Sequence, residues 1–101
     1  MEKKHFLLKL IPPRPTFAEN MTEAERNLMQ QHVVYWKDLT DKGIAIIFGP
    51  VSDPNGAWGL GIIEIEDEDV AHTLTTNDPI IKANLNFSYE IYPMRIGTMR
   101  K

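Results

Sequence analysis

The apolar residues of this chain follow two different spacings, and the order of those spacings restricts the folds that the chain can adopt. Residues 5–11, HFLLKLI, form the short apolar run that is typical of a buried strand. Residues 23–42 instead place apolar side chains at intervals of three and four, which indicates an amphipathic helix. Further segments follow as strand, strand, helix and strand, at residues 44–48, 58–66, 67–76 and 86–92.

The ends of the long helix are marked by residues that favour helix boundaries. Thr22 can cap the N-terminus with its hydroxyl, and Glu25 three residues later completes a capping box. Gly43 supplies the C-terminal stop, because glycine readily adopts the left-handed conformation that ends a helix. Prolines 12, 13 and 15 precede the helix and predict an irregular loop over residues 12–20.

Proline and glycine also mark the ends of shorter elements. Gly49 and Pro50 are expected to end the second strand, and Pro93 is expected to close the fourth. Asp78 precedes a proline and should begin one or two helical turns that extend to about residue 84.

The resulting order, β-α-β-β-α-β, predicts an α+β fold of the ferredoxin-like type. The link between the second and third strands is short, so these strands should form an antiparallel hairpin. In this arrangement the sheet is antiparallel and both helices cover one of its faces. A length of 101 residues favours one domain, and residues 1–101 are therefore predicted to form it.

Both faces of the predicted sheet carry apolar side chains. In the first strand Leu8 lies on one face and Leu7 on the other. In the second strand, strict alternation would put Ile46 and Phe48 together, opposite Ile47. The pattern offers no further helix to cover the second face. We therefore expect a homodimer in which the sheets pack face to face.

Composition excludes several classes of site. The chain has no cysteine, which excludes disulfides, thiolate nucleophiles and cysteine metal ligands. Its net charge of −3 and its scattered Lys and Arg residues do not make a nucleic-acid-binding surface. The sequence lacks a run of about 18 apolar residues, so no membrane span is predicted. The N-terminal apolar run is short and meets proline, which argues against a signal peptide and for a cytoplasmic location.

His32 lies on the apolar stripe of the long helix, and this position allows two interpretations. It can be a core histidine that bonds to a backbone carbonyl, or it can transfer protons if a carboxylate fixes its tautomer. Asp78, in the segment NDPII, can supply that carboxylate. Aspartate followed by proline is also a common helix start, with the acid as cap. The two roles are compatible, because a capping carboxylate can keep one oxygen free.

Other residues are candidates for contact with a small-molecule substrate, each with a simpler alternative. Arg14 can meet an anionic group, or it can be a solvated loop residue. Trp36 and Trp58 can form the aromatic walls of a pocket, or they can pack in the core. Gly49 and Pro50 can bring the backbone close to a ligand, or they can belong to an ordinary hairpin connection.

Neither a metal site nor a cofactor site is predicted. His5 and His72 lie on different elements from His32 and show no ligand spacing with it. The segment GPVSDPNGAWGLG lacks the Lys-Ser/Thr of a phosphate-binding loop and the strand-turn-helix context of a dinucleotide site.

An ordered set of residues resembles the YciI-like (YCII-related) family. The set consists of His32, Gly43, Gly49-Pro50, Asp78-Pro79 and Pro93. The resemblance implies a dimeric α/β barrel, in agreement with the expected strand order. It also implies a pocket with a His–Asp pair that matches His32 and Asp78. The loop over residues 12–20 looks longer than that of the family prototype.

Two functions are open at this point. One is a small cofactor-independent enzyme in which His32 transfers a proton on a small, aromatic or anionic substrate and Asp78 orients the imidazole. The other is a non-catalytic dimeric module that binds a small molecule or assists another protein. The resemblance adds that a few relatives look like enzymes of aromatic breakdown, although a shared fold does not transfer a reaction.

Overall fold

The computed structural model describes residues 2–100, which form four strands and four helices. The strands are β1 (Lys4–Ile11), β2 (Ala45–Val51), β3 (Trp58–Ile65) and β4 (Ser88–Met94). The helices are α1 (Phe17–Asn20), α2 (Glu23–Asp41), α3 (Glu68–Thr76) and α4 (Pro79–Lys82). The predicted domain of residues 1–101 includes both ends of the chain, which lie outside the described residues, and it stays a prediction.

The strands form one antiparallel sheet in the order β2-β3-β1-β4. This order places the first and third strands at the centre and the second and fourth at the edges, as the ferredoxin-like arrangement requires. The predicted α+β fold is therefore confirmed. Among residues 2–100, none of the helices combines the length and the apolar character needed to cross a bilayer. The cytoplasmic location expected from the sequence stays a prediction.

The core lies between the helices and one face of the sheet. On β1, alternate residues Phe6, Leu8 and Leu10 are buried, and Trp36 and Leu39 of α2 are buried as well. Trp36 and Leu39 belong to the same apolar cluster as Phe6 and Leu8, while Leu10 belongs to a second cluster. The long amphipathic helix thus stabilises the sheet by covering its most apolar strand.

Both ends of α2 have the features that the sequence predicts. The Glu25 amide donates to the Thr22 hydroxyl over 3.1 Å, and the Thr22 amide donates to the Glu25 carboxylate over 2.9 Å. This reciprocal pair is the predicted capping box. After the helix, Gly43 has a φ of +80°, a conformation that favours glycine.

Three predicted boundaries are wrong. Residues 12–20 are not wholly irregular, because residues 17–20 form the short helix α1. Pro50 does not end β2, and Pro93 does not end β4. Both prolines lie in edge strands, where one side of the strand has no ladder partner and a missing N–H is tolerated.

The predicted alternation of β2 is also wrong, because a bulge interrupts it. Ala45 pairs with Ile63 and Ile47 pairs with the adjacent Ile62, so the pairing register shifts between them. Ile46 and Ile47 are consequently both exposed, at 42% and 56%. Beyond the bulge Phe48 faces the helices, on the same side as Ala45.

The face of the sheet opposite the helices remains apolar, and we refer to it as the open face. Leu7 of β1 stands on it, between Ile62 of β3 and Tyr92 of β4. The apolar members of the open face are Leu7, Ile11, Ile47, Val51, Trp58, Leu60, Ile62, Tyr92 and Met94, and the charged residues Lys9, Glu64 and Glu90 lie on the same face. Ile47 and Tyr92 are among the exposed large hydrophobic side chains of the chain. The sequence-based expectation of a sheet that is apolar on both sides therefore agrees with the structure.

Gly61 permits the close approach of Phe48 to the sheet. A Cβ at position 61 would overlap the Phe48 ring, whereas a Cβ at Gly49 would have no atom within 4 Å. We expect Gly61→Ala to lower the free energy of unfolding by about 1–3 kcal/mol through overpacking. Gly49→Ala is the matched control on the neighbouring strand and should change it by less than about 0.5 kcal/mol. Urea denaturation measures both, and equal stabilities would contradict the packing of Phe48 on Gly61.

Candidate functional site

His32 and Asp78 form a buried pair, although 46 positions separate them. His32 lies in α2 and is 4% exposed, while Asp78 lies immediately before α4 and is 0% exposed. The His32 Nδ1 atom lies 2.8 Å from the Asp78 Oδ2 atom. The other oxygen of Asp78 accepts from the Ile80 amide over 3.0 Å, so the residue caps α4 as well. Both interpretations of Asp78 from the sequence thus occur together.

Two further side chains donate to the same oxygen of Asp78. The Trp36 indole N–H donates over 2.7 Å and the Tyr89 hydroxyl donates over 2.6 Å. Burial alone would raise the pKa of Asp78, but hydrogen bonds from His32 and Tyr89 and the charge of His32 outweigh it. The pKa of Asp78 therefore lies below its ordinary value of 3.8. At neutral pH the site contains a buried, ionised carboxylate.

The tyrosines near the carboxylate remain protonated. Burial, together with the adjacent charge of Asp78, raises the pKa of Tyr89 far above its ordinary value. The same two causes raise the pKa of Tyr35 to about 12. The Tyr35 hydroxyl donates to the Leu74 carbonyl over 2.6 Å. Both phenols consequently act as neutral donors that hold the surroundings of Asp78 in place.

The carboxylate also determines which nitrogen of His32 carries the proton. Because ionised Asp78 accepts hydrogen bonds only, Nδ1 must donate, and the neutral ring then has a free lone pair on Nε2. Within residues 2–100 no side chain or backbone group bonds to Nε2, and no buried side-chain nitrogen or oxygen lacks a partner. Nε2 therefore reaches solvent.

Nε2 opens into a cleft between α2 and β2, which we call the His32 cleft. The cleft has a volume of about 590 Å³, and its lining includes Trp36, Phe48, Gly49 and Pro50. The Phe48 ring stacks on Trp36 at a centroid distance of 4.5 Å and meets His32 edge-on at 5.2 Å. These aromatic contacts fix the plane of the imidazole and give the cleft an apolar wall.

The predicted site residues fall into two groups in the structure. Trp36, Gly49 and Pro50 line the cleft of His32, and Trp36 also bonds to Asp78. Their role as substrate-binding residues stays a prediction.

Trp58 and Arg14 do not line the His32 cleft, and both are engaged elsewhere. The Trp58 indole N–H donates to Asp53 over 3.1 Å. The Arg14 guanidinium donates to both carboxylate oxygens of Glu25, over 2.9 and 2.7 Å, and to the Asn20 side chain over 2.7 Å. The charge of Arg14 thus fixes the segment of residues 12–20 to the start of α2, and its role toward a substrate stays a prediction.

Tyr89 is the site residue that the sequence analysis missed. It lies in β4 between Phe87 and Ile91, and this alternation turns it toward the helices. A tyrosine on the buried face of a strand needs a partner for its hydroxyl, and Asp78 is that partner. The alternation in NFSYEIY was the signal from which this residue was predictable.

Within residues 2–100, no group of three or more His, Cys, Asp or Glu side chains is arranged to hold a metal ion. The candidate site is the buried pair of His32 and Asp78, with the aromatic rings of Trp36 and Phe48 beside it.

Comparison with protein families gives a match over most of the chain. The family model described as the YCII-related domain matches residues 6–95 of the chain. The chain belongs to the YCII-related family. The resemblance inferred from the sequence is thereby confirmed.

One similar solved structure is an uncharacterized protein from Thermotoga maritima. It is 7% identical in sequence, superposes with a TM-score of 0.53, and covers 93% of this chain and 100% of its own. At that identity the likeness concerns the fold alone. No curated protein matches this YCII-related chain.

Glu25 makes the stability of this YCII-related protein depend on pH. Its hydrogen bonds with Arg14 and with the Thr22 amide lower its pKa from 4.5 to about 2. A lowered pKa in the folded state adds stability above the ordinary value, and that stability is lost as pH falls toward about 2. We expect Glu25→Gln to be less stable than wild type at about pH 7, and the difference to shrink at about pH 3.

Chemical denaturation at the two pH values measures this difference. Glu23→Gln is the matched control, because Glu23 lies in the same first turn of α2 and is exposed. Its stability difference from wild type should be small at both pH values. A Glu25→Gln difference that is the same at both would contradict the ion pair with Arg14.

Proposed function

We propose that this chain is a small cofactor-independent enzyme in which His32 takes a proton from a small substrate and returns it. The observation that supports the proposal is that the two ring nitrogens of His32 have different surroundings. In the neutral ring Nδ1 donates to a buried carboxylate, and Nε2 carries a lone pair at a cleft that is lined by Trp36 and Phe48 and also by Lys37 and Asp41. A general base needs this combination of a fixed tautomer and access to the substrate.

The reaction that fits this geometry begins with a proton on a carbon or a heteroatom of the substrate. The substrate–hydrogen bond breaks, a new N–H bond forms at Nε2 of His32, and the electron pair stays on the substrate. The imidazolium then returns the proton to a second atom, which is isomerisation, or to a departing group, which is elimination. In both reactions the protons and electrons balance without an oxidant or a metal.

Asp78 is a positioning residue in this proposal. It is fully buried and does not line the cleft, so it acts on the substrate only through His32. Its negative charge stabilises the imidazolium that forms during the reaction. The donors Trp36 and Tyr89 keep its oxygen in line with Nδ1, because each bonds to that same oxygen.

We expect His32→Gln to abolish proton transfer while leaving the fold intact. A panel of small ketones and lactones in D2O gives the assay, with exchange of substrate hydrogen followed by proton NMR. For a substrate that wild type turns over, kcat should fall by about 10²–10⁴, the usual contribution of a general base. His72→Gln is the matched control, since His72 is exposed on α3 and pairs with Glu68, and it should retain full activity.

A second measurement works without a substrate and separates catalysis from simple binding. Proton–nitrogen correlation spectra of neutral His32 should show Nδ1 protonated and Nε2 bare. In Asp78→Asn the charged acceptor is gone, and the two tautomers should mix. If neutral His32 instead carries its proton on Nε2, it cannot act as the base, and the non-catalytic binding or accessory module becomes the better account.

The same proposal includes a homodimer joined through the open face of the sheet. Its apolar side chains, with Leu7, Ile62 and Tyr92 at the centre, are contiguous across three strands. A face of this kind is uncommon on a soluble monomer unless it is an interaction surface. Face-to-face packing of two such sheets buries both in one step.

We expect wild type to have twice the mass of one protomer in light scattering, and Ile62→Lys to have the mass of a monomer. A lysine at this position would place an unpaired charge in the middle of the interface. Val34→Lys is the control, because Val34 is 68% exposed on α2 and far from the open face in the fold. Circular dichroism checks that each variant folds, and a monomeric wild type would contradict the proposal.

A further inference from the structure

A second cavity adjoins the His32 cleft, and we call it the chamber. It lies between the end of β1, α1, α2 and the start of β3, and its walls include Leu10, Phe17, Met21, Trp58 and Phe87. Its volume is about 240 Å³.

Met29 and Pro50 line both the chamber and the cleft, so the two cavities meet at these residues. Met29 also precedes His32 by three positions on α2, which places both side chains on one face of the helix. A molecule in the chamber therefore contacts the same two residues as a molecule in the His32 cleft.

The lining of the chamber is uniformly apolar. Among the described residues, no charged, hydroxyl or amide side chain contributes to it. Trp58 is the one lining residue with a side-chain N–H, and that group donates to Asp53. A charged or strongly polar group that entered the chamber would lose its hydration without gaining a partner, which is costly.

Contacts within the protein hold the side chains of the chamber walls in place. Phe17 meets Phe87 edge-on at a centroid distance of 5.1 Å, and both residues are almost fully buried. Arg14 lies 5.5 Å from the Phe17 ring and is itself bonded to Glu25. The ion pair at the start of α2 thus fixes the aromatic wall, while Met21 and Met29 supply flexible side chains that adjust to a ligand.

The size of the chamber limits its occupant. An apolar cavity of roughly 150 Å³ is large enough to bind benzene. The chamber is larger, so it accommodates one substituted ring or a branched chain of about six to eight carbons.

We propose that the chamber binds the uncharged, apolar end of the substrate, while the reacting end lies against His32. This inference rests on the proposed function and adds a substrate class to it: a molecule with one compact hydrocarbon group next to an acidic C–H or a similar proton. The sequence alone is compatible with an anionic substrate. The chamber favours a neutral end at this position, and any charged group of the substrate must lie outside it.

Toluene is a probe that tests the chamber without a substrate. In protein labelled at the methionine methyl carbons, we expect toluene to shift the Met21 and Met29 signals in a saturable way. Met94 and Met99 lie outside the chamber lining, and their signals should not move. Met21→Leu and Met29→Leu assign the signals. Benzoate, which has the same ring with a negative charge, should bind at least about tenfold more weakly.

Substitutions that fill the chamber should weaken the binding of toluene. Ala57 lines the chamber, and Ala57→Leu should weaken toluene binding by about tenfold or more by occupying its volume. Ala18→Leu repeats the test from another wall residue. Ala24→Leu adds the same bulk at an exposed position of α2 that lines no part of the chamber, and it should bind toluene as wild type does.

The results that would overturn the inference are distinct from those that would overturn the proposed function. The inference fails if toluene causes no saturable shift, if benzoate binds as tightly, or if both filling variants bind toluene normally. His32→Gln should bind toluene as well as wild type does, because the chamber walls do not include His32. The proposed function is contradicted if neutral His32 carries its proton on Nε2, or if His32→Gln leaves proton exchange unchanged. Both results are measured without toluene.

Discussion

The buried carboxylate of Asp78 is the interaction on which the rest of the site depends. A carboxylate with no exposed surface is tolerated only when donors replace its lost hydration. Here those donors are His32 and Trp36 from α2, Tyr89 from β4 and the Ile80 amide of α4. Since they belong to three different elements, the carboxylate connects the long helix, an edge strand and the short helix at one point.

The cleft beside this pair depends on a second constraint, which is the geometry of β2. The bulge after Ala45 changes the phase of the strand, so that Phe48 turns toward the helices and stacks on Trp36. Gly61 leaves the space in which the Phe48 ring lies. Without the bulge, strict alternation would put Phe48 opposite Ala45, on the open face, and His32 would lose its aromatic wall.

The parts of the fold that local patterns determine were predictable from the sequence. The parts that depend on tertiary contacts were not. Spacing and capping residues predicted the helices and strands, because both features depend on neighbours along the chain. Pro50 and Pro93 misled the analysis, since only the position of a strand at the edge of a sheet makes a proline acceptable. The pairing of His32 with Asp78 was one of two open interpretations until the family resemblance supported it, and the partner of the Tyr89 hydroxyl lies eleven positions away in another part of the chain.

The energetics of the buried carboxylate beside His32 support the proposed chemical role of His32 over a purely structural one. Replacing a buried pair by apolar side chains of similar size is often neutral or stabilising, so stability alone is a weak reason to have one. Within the described residues His32 satisfies only Nδ1, and its second nitrogen meets a cleft whose walls are mainly aromatic and aliphatic. This arrangement leaves one ring nitrogen free for a substrate, as the proposed function requires.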